Sequence, residues 1–219
     1  RDSFRTKRDA TRWLKTQEVD KSRGEWVDPR RGDITFGEWT KAWLASRRVR
    51  PSTLARDESY LNSLILPHFA DRPLNEIGPD GVREWIAALE NAGKAPATVR
   101  KAYQILSGIL SQAVDDGRLP KSPLPRRPGL RPVERTDMTT LTLPQVHHLA
   151  ATIDPRYRVM VFTAAYTGFR FGEAAGLRID DVDLLRSTIS VSGTLSEVRG
   201  EVRCWPAEDP AVGPDHCDI

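Results

Sequence analysis

Apolar residues recur at helical spacing along most of this chain, and short β-branched runs appear only near its end. The large side chains Phe36, Trp39 and Trp43 are three and four residues apart, which places them on one face of a helix that starts at Thr35. Similar apolar stripes predict three further helices, over residues 51–67, 79–91 and 97–117. Four amphipathic helices in about 85 residues predict a compact helical domain.

The pattern changes in the last third of the chain. Thr142 is a plausible N-cap for a helix that carries Val146, and residues 156–165 predict a second, largely buried helix. A break at Gly168, where glycine can take a positive φ, precedes a short helix predicted over 170–177. Strands are then predicted from residue 180, over 187–191 and over 201–205, with residues 196–200 as a hairpin connection.

Prolines, glycines and charges mark the predicted boundaries, which divide the chain into residues 1–23, 24–33, 34–118, 119–138 and 139–219. In the first segment, residues 3–6 look like the end of a strand, and Thr6 could cap a helix with Asp9 three residues on. The second and fourth segments are predicted linkers. The fourth contains the prolines Pro120, Pro123, Pro125, Pro128 and Pro132 between basic residues.

Composition narrows the possible classes of protein. The chain has 219 residues, 39% hydrophobic and 29% charged, which is typical of a soluble globular protein. No apolar run approaches the roughly 18 residues of a membrane helix, so no membrane association is expected. The two cysteines, Cys204 and Cys217, form no disulfide framework, which favours a cytoplasmic location.

Charge is distributed unevenly. Residues 1–135 carry 26 Lys and Arg against 18 Asp and Glu, whereas residues 136–219 carry 7 against 12. A basic front half indicates a polyanionic partner, of which nucleic acid is the usual one. Neither His147-His148 nor the aspartates at 180, 181 and 183 has metal-ligand spacing, so no metal and no cofactor is predicted.

Arg170 is the strongest candidate for chemistry. A guanidinium stays charged and can donate two parallel hydrogen bonds to a phosphate, and the first turn of a helix adds free N–H groups. Glu173 lies three residues on, on the same side of that helix. The alternative is that Arg170 forms only a structural salt bridge, with Glu173 or with Asp181.

The sequence around Arg170 carries a specific resemblance. Thr-Gly-Phe-Arg-Phe-Gly-Glu-Ala-Ala-Gly-Leu-Arg at 167–178, followed by Asp-Val-Asp at 181–183, resembles the first catalytic box of the tyrosine recombinases, or phage integrases. The resemblance implies that Arg170 binds the scissile phosphate and that Glu173 supports the active site. It also implies a mainly α fold: a helical core-binding domain at 34–118, followed by an incomplete α+β tyrosine-recombinase catalytic domain at 139–219.

The resemblance extends upstream. Residues 1–23 resemble the end of an arm-type DNA-binding domain, and Arg50-Pro51-Ser52-Thr53-Leu54 and Ala97-Thr98-Val99-Arg100 match places in the core-binding domain. In the family that domain clamps DNA, and the linker crosses the DNA backbone. Basic side chains on this domain are the predicted DNA contacts: Arg47, Arg48, Arg50, Arg56, Lys94, Arg100 and Lys101.

The resemblance stops near residue 205. The family has a catalytic lysine, a His-x-x-Arg box and a nucleophilic tyrosine beyond this point, whereas the last lysine here is Lys121 and the last tyrosine is Tyr166. We therefore expect a truncated or frameshifted site-specific recombinase, inactive as this chain, so that whether it is an enzyme stays open. The alternative is a non-catalytic DNA-binding remnant or regulator. The expected partners are double-stranded DNA and other integrase subunits.

Overall fold

The computed structural model describes residues 6–22, 28–134 and 137–206. Its helices are α1 (Lys7–Ser22), α2 (Phe36–Ser46), α3 (Pro51–Tyr60), α4 (Leu66–Phe69), α5 (Pro79–Asn91), α6 (Pro96–Asp115), α7 (Leu143–Thr152), α8 (Arg158–Thr167) and α9 (Phe171–Ala175). Its strands are β1 (Val182–Asp183), β2 (Thr188–Ile189), β3 (Gly193–Val198) and β4 (Glu201–Pro206). The mainly α fold class is confirmed.

The chain divides into two compact units. The first contains residues 1–47 and 57–133, and the second contains residues 48–56 and 134–219. The predicted start of α1 is confirmed, because the Asp9 backbone N–H donates to Thr6 Oγ1 at 3.2 Å. Residues 3–5 of the strand predicted over 3–6, and the tail with Cys217, lie outside the described residues. Within the described ranges, no helix is long and apolar enough to cross a membrane.

The first unit has one hydrophobic core, built from α2 to α6. Phe36, Phe69 and Trp85 are fully buried at its centre. The ring centroids of Phe36 and Phe69 are 5.8 Å apart, and those of Phe69 and Trp85 are 5.6 Å apart. The Trp85 indole donates to the Leu64 carbonyl at 2.8 Å, so its one polar group is satisfied. Thr35 caps α2 through a reciprocal pair of hydrogen bonds with Glu38, which confirms the predicted start of this helix.

The helix predicted to end at Pro67 continues past it, so this end is wrong. A turn of π-helix over Leu61–Ile65 follows α3, and the chain then stays helical through Phe69. The Leu66 N–H donates to the Leu61 carbonyl, one residue farther than in an α-helix. A π turn immediately before Pro67 supplies the local widening that a proline ring needs inside a helix.

The predicted linker begins as part of the first unit. Residues 118–134 form bends and irregular backbone without a helix or strand. Leu119 is buried, and Leu124 and Leu130 pack against the helical core. Arg131 Nε is 3.0 Å from Glu90 Oε2, which fixes this stretch to α5.

The second unit is packed more loosely. Thr142 caps α7 as predicted, with its N–H donating to Gln145 Oε1 at 2.8 Å. The prediction that the next helix is largely buried is wrong, because no residue of α8 is buried and Val159 is 73% exposed. An apolar run fixes the tendency to be helical, whereas burial depends on neighbours, and the main contacts of α8 are with α7 and α9.

The strands pair differently from the prediction. The run predicted at 187–191 shortens to β2, which pairs antiparallel with β1. Residues 196–200 are not the hairpin connection, because 193–198 form β3, which pairs with β4 along its whole length. The turn between them is Arg199-Gly200, with φ of 54° and 82°. Two residues with positive φ match the right-handed twist of a tight hairpin, so the register depends on this pair.

Candidate phosphate-binding site and nucleic-acid interface

The site around Arg170 starts where α8 ends. Gly168 has a φ of 73°, and its N–H donates to the Ala164 carbonyl at 3.0 Å, so the predicted glycine break is confirmed. The next helix is shorter than predicted: α9 contains only Phe171–Ala175, and Arg170 is its N-cap residue with extended φ and ψ. The guanidinium therefore projects from the turn between two helices instead of from within a helix.

Glu173 fixes this arginine at two points. Glu173 Oε2 accepts the Arg170 backbone N–H at 2.8 Å, and Glu173 Oε1 accepts Arg170 Nη1 at 2.9 Å. These hydrogen bonds, the backbone one first, hold the pKa of Glu173 below its ordinary value of 4.5. The Arg170 side chain is 86% exposed, whereas Glu173 is 24% exposed. Arg170 is therefore held in place by Glu173 and yet open to solvent.

Two glycines bring α9 against β3. An ideal Cβ on Gly172 would lie 2.5 Å from the Leu195 carbonyl oxygen and 2.8 Å from Thr194 Oγ1. One on Gly176 would lie 3.1 Å from the Leu195 backbone N. Sequence reasoning did not single out these residues, although glycines four apart fall on one side of a helix and permit close backbone approach. The strand thereby sets the position of the helix start that carries Arg170.

Asp181 does not pair with Arg170, so Glu173 is the partner of Arg170. The Asp181 carboxylate accepts a hydrogen bond from Ser192 and a second from the Arg178 backbone N–H at 2.8 Å. These bonds, in that order, lower the pKa of Asp181. The Asp181 carbonyl also accepts the Ser190 N–H at 2.8 Å, so this residue ties the turn before β1 to the chain after β2.

The arrangement at Arg170 suits an anion that arrives from solvent. One guanidinium nitrogen is bound by Glu173, which orients the group, and the planar fork retains further N–H donors for two oxygens of one phosphate. The ionised Glu173 carboxylate brings the net charge of the pair to zero, so the site attracts a phosphate mainly through the hydrogen bonds of the guanidinium. The side chains of Arg170 and Glu173 are thus brought together as predicted, and their role in binding stays a prediction.

Four of the predicted DNA contacts lie between the end of α2 and the end of α3. Arg48, Arg50 and Arg56 are exposed. Arg47 is different, because its Nη2 is 2.7 Å from Oδ2 of the buried Asp57 and its guanidinium lies 4.5 Å from the centre of the Trp43 ring. Arg47 therefore neutralises a buried carboxylate, which leaves it less available to DNA than Arg48 and Arg50.

The other three predicted contacts lie at the start of α6. Lys94 is exposed, whereas Arg100 and Lys101 are half-buried. The helix starts after Ala95, which makes no side-chain capping bond, so the first backbone N–H groups are open to an anion. Arg100 Nη2 donates to the Arg131 carbonyl at 3.0 Å and so also holds the linker.

Known proteins give independent information on this chain. Residues 35–89 match the family model described as phage integrase, N-terminal SAM-like domain. The integrase of Mycobacterium phage FRAT1 is 31% identical over 182 residues, 80% of this chain and 53% of the relative. The prophage phiRv2 integrase of Mycobacterium tuberculosis is 30% identical over 188 residues, 83% of this chain and 49% of the relative. The chain thus spans about half the length of these curated relatives.

Solved structures match the fold. The Tn1549 transposon integrase in complex with circular intermediate DNA has a TM-score of 0.65 at 18% identity, over 81% of this chain and 62% of that one. A lambda integrase tetramer bound to a Holliday junction has a TM-score of 0.56 at 17% identity, over 94% of this chain and 62% of that one. The sequence relatives, the fold and the sequence around Arg170 agree on one class of protein, the tyrosine recombinases. The chain belongs to the tyrosine recombinase family, and its sequence relatives include phage and prophage integrases.

Proposed function

We propose that this chain is the part of a site-specific DNA recombinase that binds the duplex and holds the phosphate at which a strand is cut. The observation that carries the proposal is the Arg170 side chain, which Glu173 orients at 2.9 Å and which is nevertheless 86% exposed. A purely structural ion pair gains little in such an exposed place, whereas an oriented and accessible guanidinium is suited to a phosphodiester. We also propose that the chain binds this DNA in the cytoplasm.

The role of Arg170 follows from the charge that develops on the phosphate. In the family mechanism implied by the resemblance, a tyrosine hydroxyl attacks the phosphodiester and a 3′-phosphotyrosine link forms while the 5′ oxygen leaves. The pentacoordinate phosphorane carries more negative charge than the ground state, so Arg170 would bind it more tightly. Within these 219 residues the last tyrosine is Tyr166, in α8, and the last lysine is Lys121. We therefore propose that this chain alone binds DNA without cutting it, and that other integrase subunits are its partners.

Binding tests the assignment of Arg170. Arg170→Ala should weaken binding to a labelled DNA duplex about tenfold or more, because a hydrogen bond to a charged group contributes ~1.5–3 kcal/mol. The matched control is Arg186→Ala, since Arg186 is 83% exposed, lies in the same unit and pairs with an acid three residues away. The control should change the dissociation constant less than twofold. Equal losses for both variants would reduce Arg170 to a surface charge.

Trapping separates binding from cleavage. A duplex with a nick near the cleavage site prevents religation and accumulates any covalent protein–DNA adduct, which denaturing electrophoresis detects. The chain alone should give no adduct, and it should lower the adduct yield of an intact recombinase that acts on the same site. An adduct formed by the chain alone would show that one of its own residues is a nucleophile and would overturn the binding-only proposal.

A further inference from the structure

Two segments of the first unit cross closely where the chain enters α2 and leaves α6. The first is the 3₁₀ turn Pro29–Gly32, and the second is Gly117-Arg118. An ideal Cβ on Gly32 would lie 3.2 Å from the Arg118 carbonyl oxygen, and one on Gly117 would lie 3.3 Å from Arg31 Nη1. Each glycine therefore lies against the arginine of the other segment. Gly117 also has a φ of 62°, which favours glycine at this position.

At the crossing, each arginine side chain reaches the backbone of the other segment. Arg118 Nη1 approaches the Arg31 carbonyl oxygen at 3.5 Å, and the Arg118 guanidinium lies 5.7 Å from the centre of the buried Trp39 ring. Trp39 itself is fixed by a hydrogen bond from its indole to the Ile109 carbonyl at 3.2 Å. Arg118 is thus supported from below by a rigid aromatic side chain, while Arg31 is exposed beside it.

Within the part of the chain that the structure describes, carboxylates neutralise some arginines of this unit but not these two. Arg47, Arg83 and Arg131 each pair with a carboxylate. Among the residues that the structure describes, neither Arg31 nor Arg118 has a carboxylate oxygen within 4.0 Å.

The nearest aspartates in sequence to Arg31 are engaged elsewhere. Asp28 accepts the Arg30 backbone N–H at 3.0 Å, and Asp33 accepts from the Asn75 amide at 2.8 Å. Neither of these two carboxylates neutralises Arg31, which leaves its charge available to an anion.

We propose that Arg31 and Arg118 form a second phosphate-binding site, which contacts the DNA backbone and fixes the helical unit on the duplex. The inference rests on the proposed DNA-binding function and deepens it by naming a contact that is remote in sequence from Arg170. Arg31 is next to Gly32 and Arg118 is next to Gly117, and the backbones of these two segments are in close contact. The two side chains therefore bind phosphate as one unit. The site positions the protein on the DNA and reads no bases.

The salt dependence of binding tests this site. In a plot of log Kobs against log salt concentration, each phosphate contact contributes a slope of about −0.9 with B-DNA. The double variant Arg31→Gln with Arg118→Gln should make the slope less steep by about 0.9 if the pair holds one phosphate, or by about 1.8 if it holds two. A random-sequence duplex serves as the probe, since phosphate contacts do not depend on sequence. Glutamine keeps the aliphatic stem of Arg118 over Trp39, and thermal unfolding checks that the variants fold.

Controls separate this site from general surface charge. Arg83→Gln removes one exposed arginine of the same unit that already has a partner, Asp80, and it should leave the slope unchanged. Arg118→Lys keeps the charge and should keep the wild-type slope. The two single variants should be non-additive if both side chains bind one phosphate. A wild-type slope in the double variant would overturn this site while leaving the proposed function intact, whereas failure of the wild-type chain to bind duplex would overturn both.

Discussion

Arg170 and Glu173 show how a charged side chain can be both exposed and fixed. The backbone N–H of Arg170 and its guanidinium both donate to the Glu173 carboxylate. Glu173 therefore caps a short helix and at the same time orients the arginine side chain. Side-chain entropy normally makes an exposed arginine a poor ligand, and a partner that removes this entropy in advance improves binding. Glu173 therefore acts as a positioning residue in our proposal.

The titration of Glu173 provides a prediction at this scale. Its pKa lies below 4.5, so the ionised carboxylate stabilises the fold above that pH, and this contribution is lost as the pH falls through the lowered pKa. Arg170→Ala should raise the pKa of Glu173 only part of the way to 4.5, because the largest cause is the backbone N–H, which the substitution keeps. NMR titration of the Glu173 carboxyl carbon measures this. A complete return to 4.5 would show that the guanidinium alone is responsible.

The short elements of the second unit depend on glycine contacts that a local pattern does not reveal. Thr167 to Arg178 carries the residues that predict a phosphate site, and their spacing correctly places Glu173 beside Arg170. The contact of Gly172 with Leu195 joins residues far apart in sequence, so no periodicity could reveal it. The same limit explains α8, whose apolar residues predict a helix correctly and its burial incorrectly.

In the first unit the prediction was more successful, because long amphipathic helices carry their burial pattern in their own sequence. Of the residues spaced for one face of α2, Phe36, Trp39 and Trp43 are buried, and Leu44 is half-buried against the core. The end at Pro67 failed for a different reason. Proline disfavours a regular α-helix, yet a single π turn, which sequence does not signal, allows the helix to continue.

The packing of α9 against β3 gives a prediction at the scale of elements. Gly172→Ala should destabilise the second unit by ~1–3 kcal/mol, because the new Cβ would lie 2.5 Å from a backbone oxygen that cannot rotate away. Gly108→Ala in α6 is the control: the nearest atom to its Cβ is Trp43 Cζ2 of α2, at an ordinary contact distance of 3.9 Å, so the gain in helix propensity should stabilise by ~0.5–1 kcal/mol. Urea denaturation followed by circular dichroism measures both. A neutral Gly172→Ala would mean that α9 moves away from β3 at little cost.

At the scale of the whole molecule, burial is concentrated in one unit. The hydrophobic core extends from Phe36 to Leu119, and it includes the aromatic group around Trp85. In residues 137–206 the buried apolar side chains are Val146, Ala150, Val198 and Cys204. Stability follows buried apolar area, so the two units should differ strongly in their resistance to unfolding. DNA contacts assigned to the helical unit, including Arg31 and Arg118, therefore rest on the more stable part.

This asymmetry predicts that residues 28–133 fold without residues 134–219. A fragment of these residues should unfold cooperatively on heating, within about 5 °C of the main transition of the full chain, because it retains the whole core. Trp85→Ala in the fragment should cost ~3–5 kcal/mol, since Trp85 is 1% exposed and packs against Phe69. The fragment should also keep the part of the salt-dependent DNA binding that Arg31 and Arg118 provide, and lose the part that depends on Arg170. A fragment that lacks a cooperative transition would mean that the core is completed by residues of the second unit, and the separation of phosphate contacts between two independently stable units would then fail.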